Sequence, residues 1–392
     1  ASISIARPHS IAKNIKSIKG ACAAFRGHGR RIMAMAAMTK RERVLAALRG
    51  EQTDRISFSP LADNYFASSL PAQGHPHDLI RALRYIGCDI IERHSPCCEV
   101  AYEGGVRVRT VSLPGGKTET HLITDLGEVS ERFYFQNGAM YTEKHFIETA
   151  QDARVFAYIA RNTRYIPRFE LFEARKAEIG EDGIPTPTAP CSPIMDTLQV
   201  LCGLENTTYL LMDEEDIMQD LFSALHERNK AYYTMLRAID SPVVFTYEDT
   251  STTIMSRNWF REMAAPCLNE YADILHDAGK IYITHMCGKL SGFKEDIAAI
   301  RSDGIDSVCP PTTGDIECWD AKAGFGSKVI IGGIEPSSLV MKTEDEILSH
   351  VGEICAHMRG KPGFILSTGD AVPHGTSIEL LKKINEFVLR EG

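Results

Sequence analysis

Short apolar segments alternate along the chain with longer segments in which apolar residues recur every three or four positions. The short segments predict buried strands, and the longer ones predict amphipathic helices. Eight strands are predicted, at residues 56–59, 89–94, 184–189, 243–247, 280–284, 307–309, 329–332 and 364–367. The helices are predicted at residues 39–50, 77–86, 214–239, 257–278, 292–300 and 344–358. Strands that alternate with helices form parallel βαβ units, so we expect an α/β fold, a TIM (β/α)8 barrel.

Residues 100–150 interrupt this rhythm. They contain segments of alternating polarity at 106–113, 118–126 and 127–136, separated by Gly-Gly and Asn-Gly turns. Such segments predict antiparallel hairpins. We therefore expect one barrel domain, residues 39–392, with a β-hairpin insertion after strand two that lies over the barrel mouth as a lid or a substrate wall.

The first 38 residues differ from the rest of the chain. They contain seven basic residues and no acidic residue. That composition is typical of an organellar targeting peptide. The alternative, which we favour, is a disordered extension that precedes a natural start at Met38-Thr39-Lys40. Neither interpretation contributes to the fold.

Composition excludes several classes of function. The net charge is −9 despite the basic first segment, which argues against a nucleic-acid partner. No apolar run approaches the roughly 20 residues of a membrane span. The eleven cysteines are scattered, and no secretory signal precedes them, so we expect reduced thiols and a cytoplasmic protein.

The residues that follow the predicted strands carry the candidate chemistry, because active sites of such barrels lie at the carboxyl ends of the strands. His285 and Cys287 follow strand five. They are two positions apart, so both side chains can face the same point. Imidazole and thiolate are good zinc ligands. A His-x-Cys pair alone is weak evidence, but carboxylates and cysteines also follow the other strands.

The sequence offers three candidates for the third metal ligand. Asp370, in a Gly-x-Asp turn after strand eight, is our first choice, followed by Glu248 and then Cys309. Each has a structural alternative: Glu248 and its neighbour Asp249 can cap a helix, Asp370 can form a turn, and Cys309 can be an inert buried thiol.

The remaining candidates are residues that can line a substrate pocket: Asn64, Tyr65, His94 and Glu335. The aromatic residue among them can equally be packing, and Glu335 can be an acid at a helix N-terminus. The chain has no glycine-rich dinucleotide motif after the first strand and no phosphate-binding loop.

These motifs give a family resemblance. The chain resembles the uroporphyrinogen decarboxylase superfamily over roughly residues 39–392. The resemblance rests on the opening TKRERVLAALRGEQTDRISF, the block APCSPIMDTLQVLCGLENTTYLLMDEEDIMQDLF, the HMCG and GGIEP motifs and the ending STGDAVPHGTSIELLKKI. It implies a TIM barrel but does not specify one activity.

Two departures narrow the implied activity. Decarboxylases of the superfamily are expected to carry an arginine-rich segment after strand one, whereas no arginine lies between Arg55 and Arg81. His-x-Cys is similar to the corrinoid-linked zinc methyltransferase branch, whose thiol-methylating members have a cysteine where this chain has Asp370. Replacing thiolate by carboxylate makes the metal harder, which suits an oxygen substrate better than a thiol.

The resemblance therefore implies a zinc-dependent methyltransferase. Zn²⁺ held by His285 and Cys287, with Asp370 or Glu248, would serve the demethylation of a small methylated substrate, with methoxylated aromatics as the leading class. Glu248 or Asp249 would protonate the leaving oxygen. The methyl group would pass to a Co(I) corrinoid on a separate corrinoid protein, because the chain lacks a cobalamin-binding signature. The alternatives are a methylcobamide:thiol methyltransferase of the coenzyme M type, a decarboxylase, and a non-catalytic metal-binding barrel.

Overall fold

The computed structural model describes residues 36–392. Residues 37–392 form one compact unit. The expectation of a disordered or targeting segment at residues 1–38 falls almost entirely outside the described residues. The described residues contain fifteen strands and fifteen α-helices, together with short 3-10 and π-helical turns.

The strands are β1 (Ser57–Phe58), β2 (Ile90–Glu92), β3 (Cys98–Tyr102), β4 (Arg107–Leu113), β5 (Lys117–Thr124), β6 (Gly127–Gln136), β7 (Ala139–Lys144), β8 (Thr163–Pro167), β9 (Gly183–Pro185), β10 (Thr188–Ala189), β11 (Val243–Tyr247), β12 (Ile281–His285), β13 (Gly304–Val308), β14 (Val329–Ile334) and β15 (Phe364–Thr368). The helices are α1 (Lys40–Leu48), α2 (Asn64–Ala67), α3 (Leu79–Ile86), α4 (Ala150–Arg161), α5 (Phe169–Ile179), α6 (Pro193–Asp196), α7 (Leu204–Asp213), α8 (Glu215–Leu236), α9 (Arg257–Trp259), α10 (Ala265–His276), α11 (Lys294–Ala299), α12 (Cys318–Gly324), α13 (Ser338–Met341), α14 (Glu344–Met358) and α15 (Ile378–Glu391).

The barrel is built from parallel strands in the expected order. β1, β15, β14, β13, β12, β11 and β10 form one seven-stranded sheet, and β2 pairs with β9. β9 and β10 belong to one extended run that two prolines interrupt, since proline has no N–H to donate to a ladder. The ring closes where the Asp89 amide donates to the Phe58 carbonyl at 2.9 Å. The predicted α/β barrel is therefore confirmed.

The barrel interior is apolar up to the level of the mouth. Alternate residues of the strands, among them Phe245, Ile283 and Ile331, meet Val44 and Leu48 of α1 in one buried cluster. α1 thus closes the amino-terminal end of the barrel. A second and larger cluster packs the outer faces of the strands against the surrounding helices. Side chains alternate along a strand, so every second residue after Phe245 or Ile283 is also expected to face the interior.

The insertion after strand two is larger than predicted. β4 to β7 form the expected antiparallel meander, while β3 pairs with β8 beyond residue 150, and α4 lies between them. The meander and α4 share an apolar cluster with α8. At the other end, Ser68 Oγ donates to the Asn137 carbonyl at 2.7 Å, in the β6–β7 turn. The insertion therefore extends to the segment that follows β1, on the mouth side of the barrel.

Candidate metal centre

Strand alternation brings three potential ligands together at the mouth. Phe245 on β11 faces the barrel interior, so Tyr247 and Asp249, two and four residues later, are expected to face the same way. On β12 the same relation holds for the interior residue Ile283, which His285 and Cys287 follow. One ligand atom each from Asp249, His285 and Cys287 lies within 4.8 Å of the other two. The structure thus brings the predicted histidine and cysteine to one point.

His285 is buried, and its partners fix its orientation. Its Nδ1 lies 3.0 Å from Asp306 Oδ2 and 2.9 Å from Ser307 Oγ. Burial raises the pKa of Asp306, but the charge of Arg93 and the hydrogen bond to His285 outweigh it and hold that pKa below its usual value. An ionised carboxylate only accepts, so Nδ1–H is the donor and Nε2 faces Asp249 at the mouth. Burial lowers the pKa of His285, but the hydrogen bond and charge of Asp306 and the charge of Asp249 outweigh it and raise that pKa. Nε2 therefore binds a metal only after it loses its proton. A carboxylate behind a ligating imidazole is the usual arrangement of zinc sites.

A backbone irregularity places both partners at Nδ1. The β13–β14 register shifts between Asp306 and Val308, and Ser307 has a φ of 77°. Such a bulge lets consecutive residues point to one side. Asp306 in turn accepts from Arg93 Nη2 at 2.9 Å. The result is a buried chain from Arg93 through Asp306 to His285.

Asp249 provides the strongest indication of a bound cation. Gln199 Nε2 donates to its Oδ2. Its Oδ1 is buried, has no hydrogen-bond partner among the described residues, and lies 3.4 Å from His285 Nε2. Two lone pairs that face each other in a buried site repel unless a cation or proton lies between them. Tetrahedral zinc with bonds of about 2.0–2.1 Å separates two such ligands by roughly 3.3 Å, so the geometry fits.

Cys287 is half-buried beside this carboxylate. Burial raises the pKa of its thiol, and the negative charges of Asp249 and Asp370 raise it further. The cysteine therefore becomes a thiolate only when a cation offsets these charges, which is the expected behaviour of a metal ligand. The donor set of one carboxylate, one imidazole and one thiol suits zinc.

The other predicted metal and catalytic residues, Asp370 and Glu248, are not among the three clustered ligands. Asp370 follows β15 and accepts from the Ala371 amide through Oδ1 at 2.7 Å, and its role as a ligand stays a prediction. Glu248 points to the opposite side of its strand. It accepts from the Ser192 amide at 2.7 Å and from Ser192 Oγ at 2.6 Å, and burial raises its pKa to about 7.

The predicted substrate residues separate into two groups. Glu335 accepts from the Ser337 and Ser338 amides at 3.2 and 2.8 Å, at the start of α13. Asn64 and His94 are exposed and line one cavity of about 490 Å³. Tyr65 is half-buried against the ring of His374. Their role as substrate-binding residues stays a prediction.

Stacked rings connect that cavity to the metal centre. The Tyr247 ring lies between two imidazoles, 4.4 Å from His285 and 4.6 Å from His94 between ring centroids. Sequence reasoning did not select Tyr247, although its position two residues after interior Phe245 indicates an inward side chain. Asp306, Arg93 and Gln199 were also missed, since their partners are distant in sequence.

Replacing Asp306 with Asn is expected to lower zinc affinity about 10- to 100-fold, the usual cost of losing a carboxylate behind a ligating histidine. The amide cannot hold the Nδ1–H tautomer as strongly. The measurement is competitive titration with a chromophoric chelator. Ser307→Ala, which removes only the neutral partner of the same nitrogen, is the matched control and is expected to change affinity far less. Equal affinity in Asp306→Asn and wild type would contradict this role.

Two further findings on the described part of the chain concern its cysteines and its helices. Its ten cysteines, which exclude the one at position 22, are all free. Within residues 36–392, no helix has the length and apolar character required to cross a bilayer.

Comparison with known proteins agrees with the fold. No curated protein sequence matches the chain. Among solved structures, a methyltransferase from Methanosarcina mazei matches with a TM-score of 0.60 and 15% identity, covering 90% of this chain and 99% of that one. A protein described as a vitamin-B12-independent methionine synthase from Listeria monocytogenes covers 57% of this chain and 68% of its own at 14% identity, but its TM-score of 0.32 supports no conclusion.

The family assignment comes from the sequence itself. The family model described as uroporphyrinogen decarboxylase (URO-D) matches residues 181–390. That span is more than half of the chain, and it contains strands β9 to β15 with all three clustered ligand candidates. The chain therefore belongs to the uroporphyrinogen decarboxylase (URO-D) family.

Proposed function

We propose that this protein is a zinc-dependent methyltransferase that demethylates a small methylated substrate, most simply a methoxylated aromatic compound. The methyl group would pass to the Co(I) corrinoid of a separate corrinoid protein. The observation that carries the proposal is the cluster of Asp249, His285 and Cys287 at the barrel mouth. The methyltransferase from Methanosarcina mazei, which shares the fold, supports the same class of reaction.

The movement of electrons and protons in this reaction defines what the site must stabilise. The cobalt electron pair attacks the methyl carbon, the carbon–oxygen bond breaks, and its electron pair stays on the leaving oxygen. Cobalt is thereby oxidised from Co(I) to Co(III), and the oxygen finally takes a proton from water. Zinc, when bound, supplies a Lewis acid that stabilises the negative charge on that oxygen.

The chain's own residues would prepare this site. Asp306 orients His285, while Gln199 holds Asp249 through the oxygen that does not face the imidazole. Asp249 would then serve as a ligand rather than as the proton donor. Both carboxylate oxygens of Glu248 accept hydrogen bonds from Ser192. Glu248 would therefore hold the segment at Ser192 in place and would not act on the substrate.

The test is a spectroscopic assay with the zinc-loaded protein, a reduced corrinoid protein and a panel of methoxylated aromatic compounds. We expect the absorbance of methyl-Co(III) to appear with at least one donor and to be absent with His285→Ala. A second arm offers methylcobalamin and thiol acceptors such as coenzyme M. Turnover only in that arm would favour the thiol methyltransferase, and no spectral change with any methyl donor would contradict the proposal.

A further inference from the structure

The cavity of about 490 Å³ lies beside the metal centre, between the segments that follow β1 and β2. It is lined by Asn64, Arg93, His94 and Tyr247. Two of these residues also belong to the surroundings of the candidate ligands: Tyr247 stacks on His285, and Arg93 binds Asp306. A molecule in this cavity is therefore close to the metal centre without occupying the ligand positions themselves.

Arg93 has hydrogen-bonding capacity that the protein does not fill. Its side chain is only 5% exposed. Nη2 donates to Asp306 at 2.9 Å, and the guanidinium lies over the Phe245 ring. Nε is buried and has no hydrogen-bond partner among residues 36–392. An arginine carries five N–H donors, and among residues 36–392 the guanidinium of Arg93 uses only the one to Asp306, so it keeps donor capacity for an acceptor in the cavity.

The carboxylates around the cavity are, in contrast, already engaged. Asp63 accepts from the Tyr65 amide at 2.8 Å and caps α2, and Asp78 accepts from the Arg81 amide at 2.9 Å and caps α3. The other two pair with one arginine: Arg175 lies 3.3 Å from Glu92 and 2.7 Å from Glu178. Of the two arginines that line the cavity, Arg93 is therefore the one that pairs with none of these four carboxylates.

We propose that this cavity binds a substrate bearing a carboxylate, with Arg93 as its anchor. This inference rests on the proposed function, and it narrows the substrate to an anionic methylated compound, such as a methoxylated aromatic acid. Arginine binds carboxylates more specifically than lysine does because its planar fork matches two oxygens. The exposed imidazole of His94, backed by Tyr247, would provide a flat surface for the aromatic ring.

The experiment measures binding, so it does not depend on methyl transfer. Titration calorimetry compares 3-hydroxybenzoate with 3-hydroxybenzamide, a neutral molecule of nearly the same shape, on the zinc-loaded wild-type protein. We expect the carboxylate to bind at least about tenfold more tightly, the effect of one charge-assisted hydrogen bond. Equal binding of the two compounds, or tighter binding of the amide, would overturn the proposal without any variant.

Variants then locate the anchor. Arg93→Met is expected to abolish the preference for the carboxylate, while Arg93→Lys is expected to keep part of it. Arg175→Met, in the same cavity but at an arginine already paired with two carboxylates, is the matched control and is expected to keep the preference. If the preference survives in a folded, zinc-containing Arg93→Met protein, the carboxylate binds elsewhere, for example on the metal, and the proposal is wrong.

The two proposals fail separately. Binding of 3-hydroxybenzoate through Arg93 without methyl transfer from 3-methoxybenzoate would contradict the proposed function alone. Methyl transfer from a neutral methoxybenzene as efficient as that from 3-methoxybenzoate would contradict the carboxylate anchor alone.

Discussion

Replacing Cys287 with Ala is expected to remove the bound zinc and to lower methyl transfer by about three orders of magnitude. The thiolate is the only sulfur ligand in the cluster, and its loss leaves one imidazole and one carboxylate, too few for a tightly held catalytic zinc. The measurements are zinc content by elemental analysis, with about one equivalent in wild type and close to none in the variant, and the methyl-Co(III) assay.

Cys309→Ala is the matched control for that variant. Cys309 is also a buried thiol at the mouth, at the end of β13, and its Sγ packs against the Gly369 carbonyl at 3.8 Å. It is not in the ligand cluster, so the variant is expected to keep its zinc while losing some stability to the small cavity. Full zinc in Cys287→Ala, or its loss only in Cys309→Ala, would contradict the assignment.

Asp249→Ala is expected to weaken zinc binding by more than about 100-fold, whereas Asp370→Ala is expected to change it little. Asp249 directs a buried and unpaired oxygen at His285, while Asp370 turns an oxygen back to its own following amide. Competitive chelator titration of both variants measures the difference. Strong loss in Asp370→Ala with an intact site in Asp249→Ala would reverse the two roles.

Glu248→Gln provides the neighbouring control. Glu248 is the residue before Asp249, but its carboxylate faces Ser192 on the other side of β11. We expect the variant to keep its zinc affinity and to lose only the contribution of a buried charge-assisted hydrogen bond, about 1.5–3 kcal/mol of unfolding free energy. Thermal denaturation beside the zinc titration separates these two effects.

Local pattern was sufficient for most of the barrel. The apolar run 243–247 coincides with β11, and the helix predicted at 344–358 coincides with α14. Strand six was displaced, since the prediction placed it at 307–309 and the structure has Gly304–Val308. The polar residues Asp306 and Ser307 interrupt the apolar pattern by which this strand would be recognised. Both are nevertheless buried, because they form hydrogen bonds with His285.

The candidate site was only partly accessible to sequence reasoning. Alternation along β12 predicted that His285 and Cys287 face one point, and the structure places them so. Alternation along β11 also selects Asp249 as an inward residue and Glu248 as an outward one. The alternation was not extended beyond the end of the strand, where both residues could equally cap a helix. Arg93 and Gln199 reach the site from distant parts of the chain, so no local pattern reveals them.

Zinc analysis combined with X-ray absorption of the wild-type protein tests the central claim most directly. A site formed by Asp249, His285 and Cys287 predicts one zinc per chain with a single sulfur neighbour at about 2.3 Å and nitrogen or oxygen neighbours at about 2.0–2.1 Å. A zinc with no sulfur neighbour, a zinc with two, or a protein that retains no metal would contradict it.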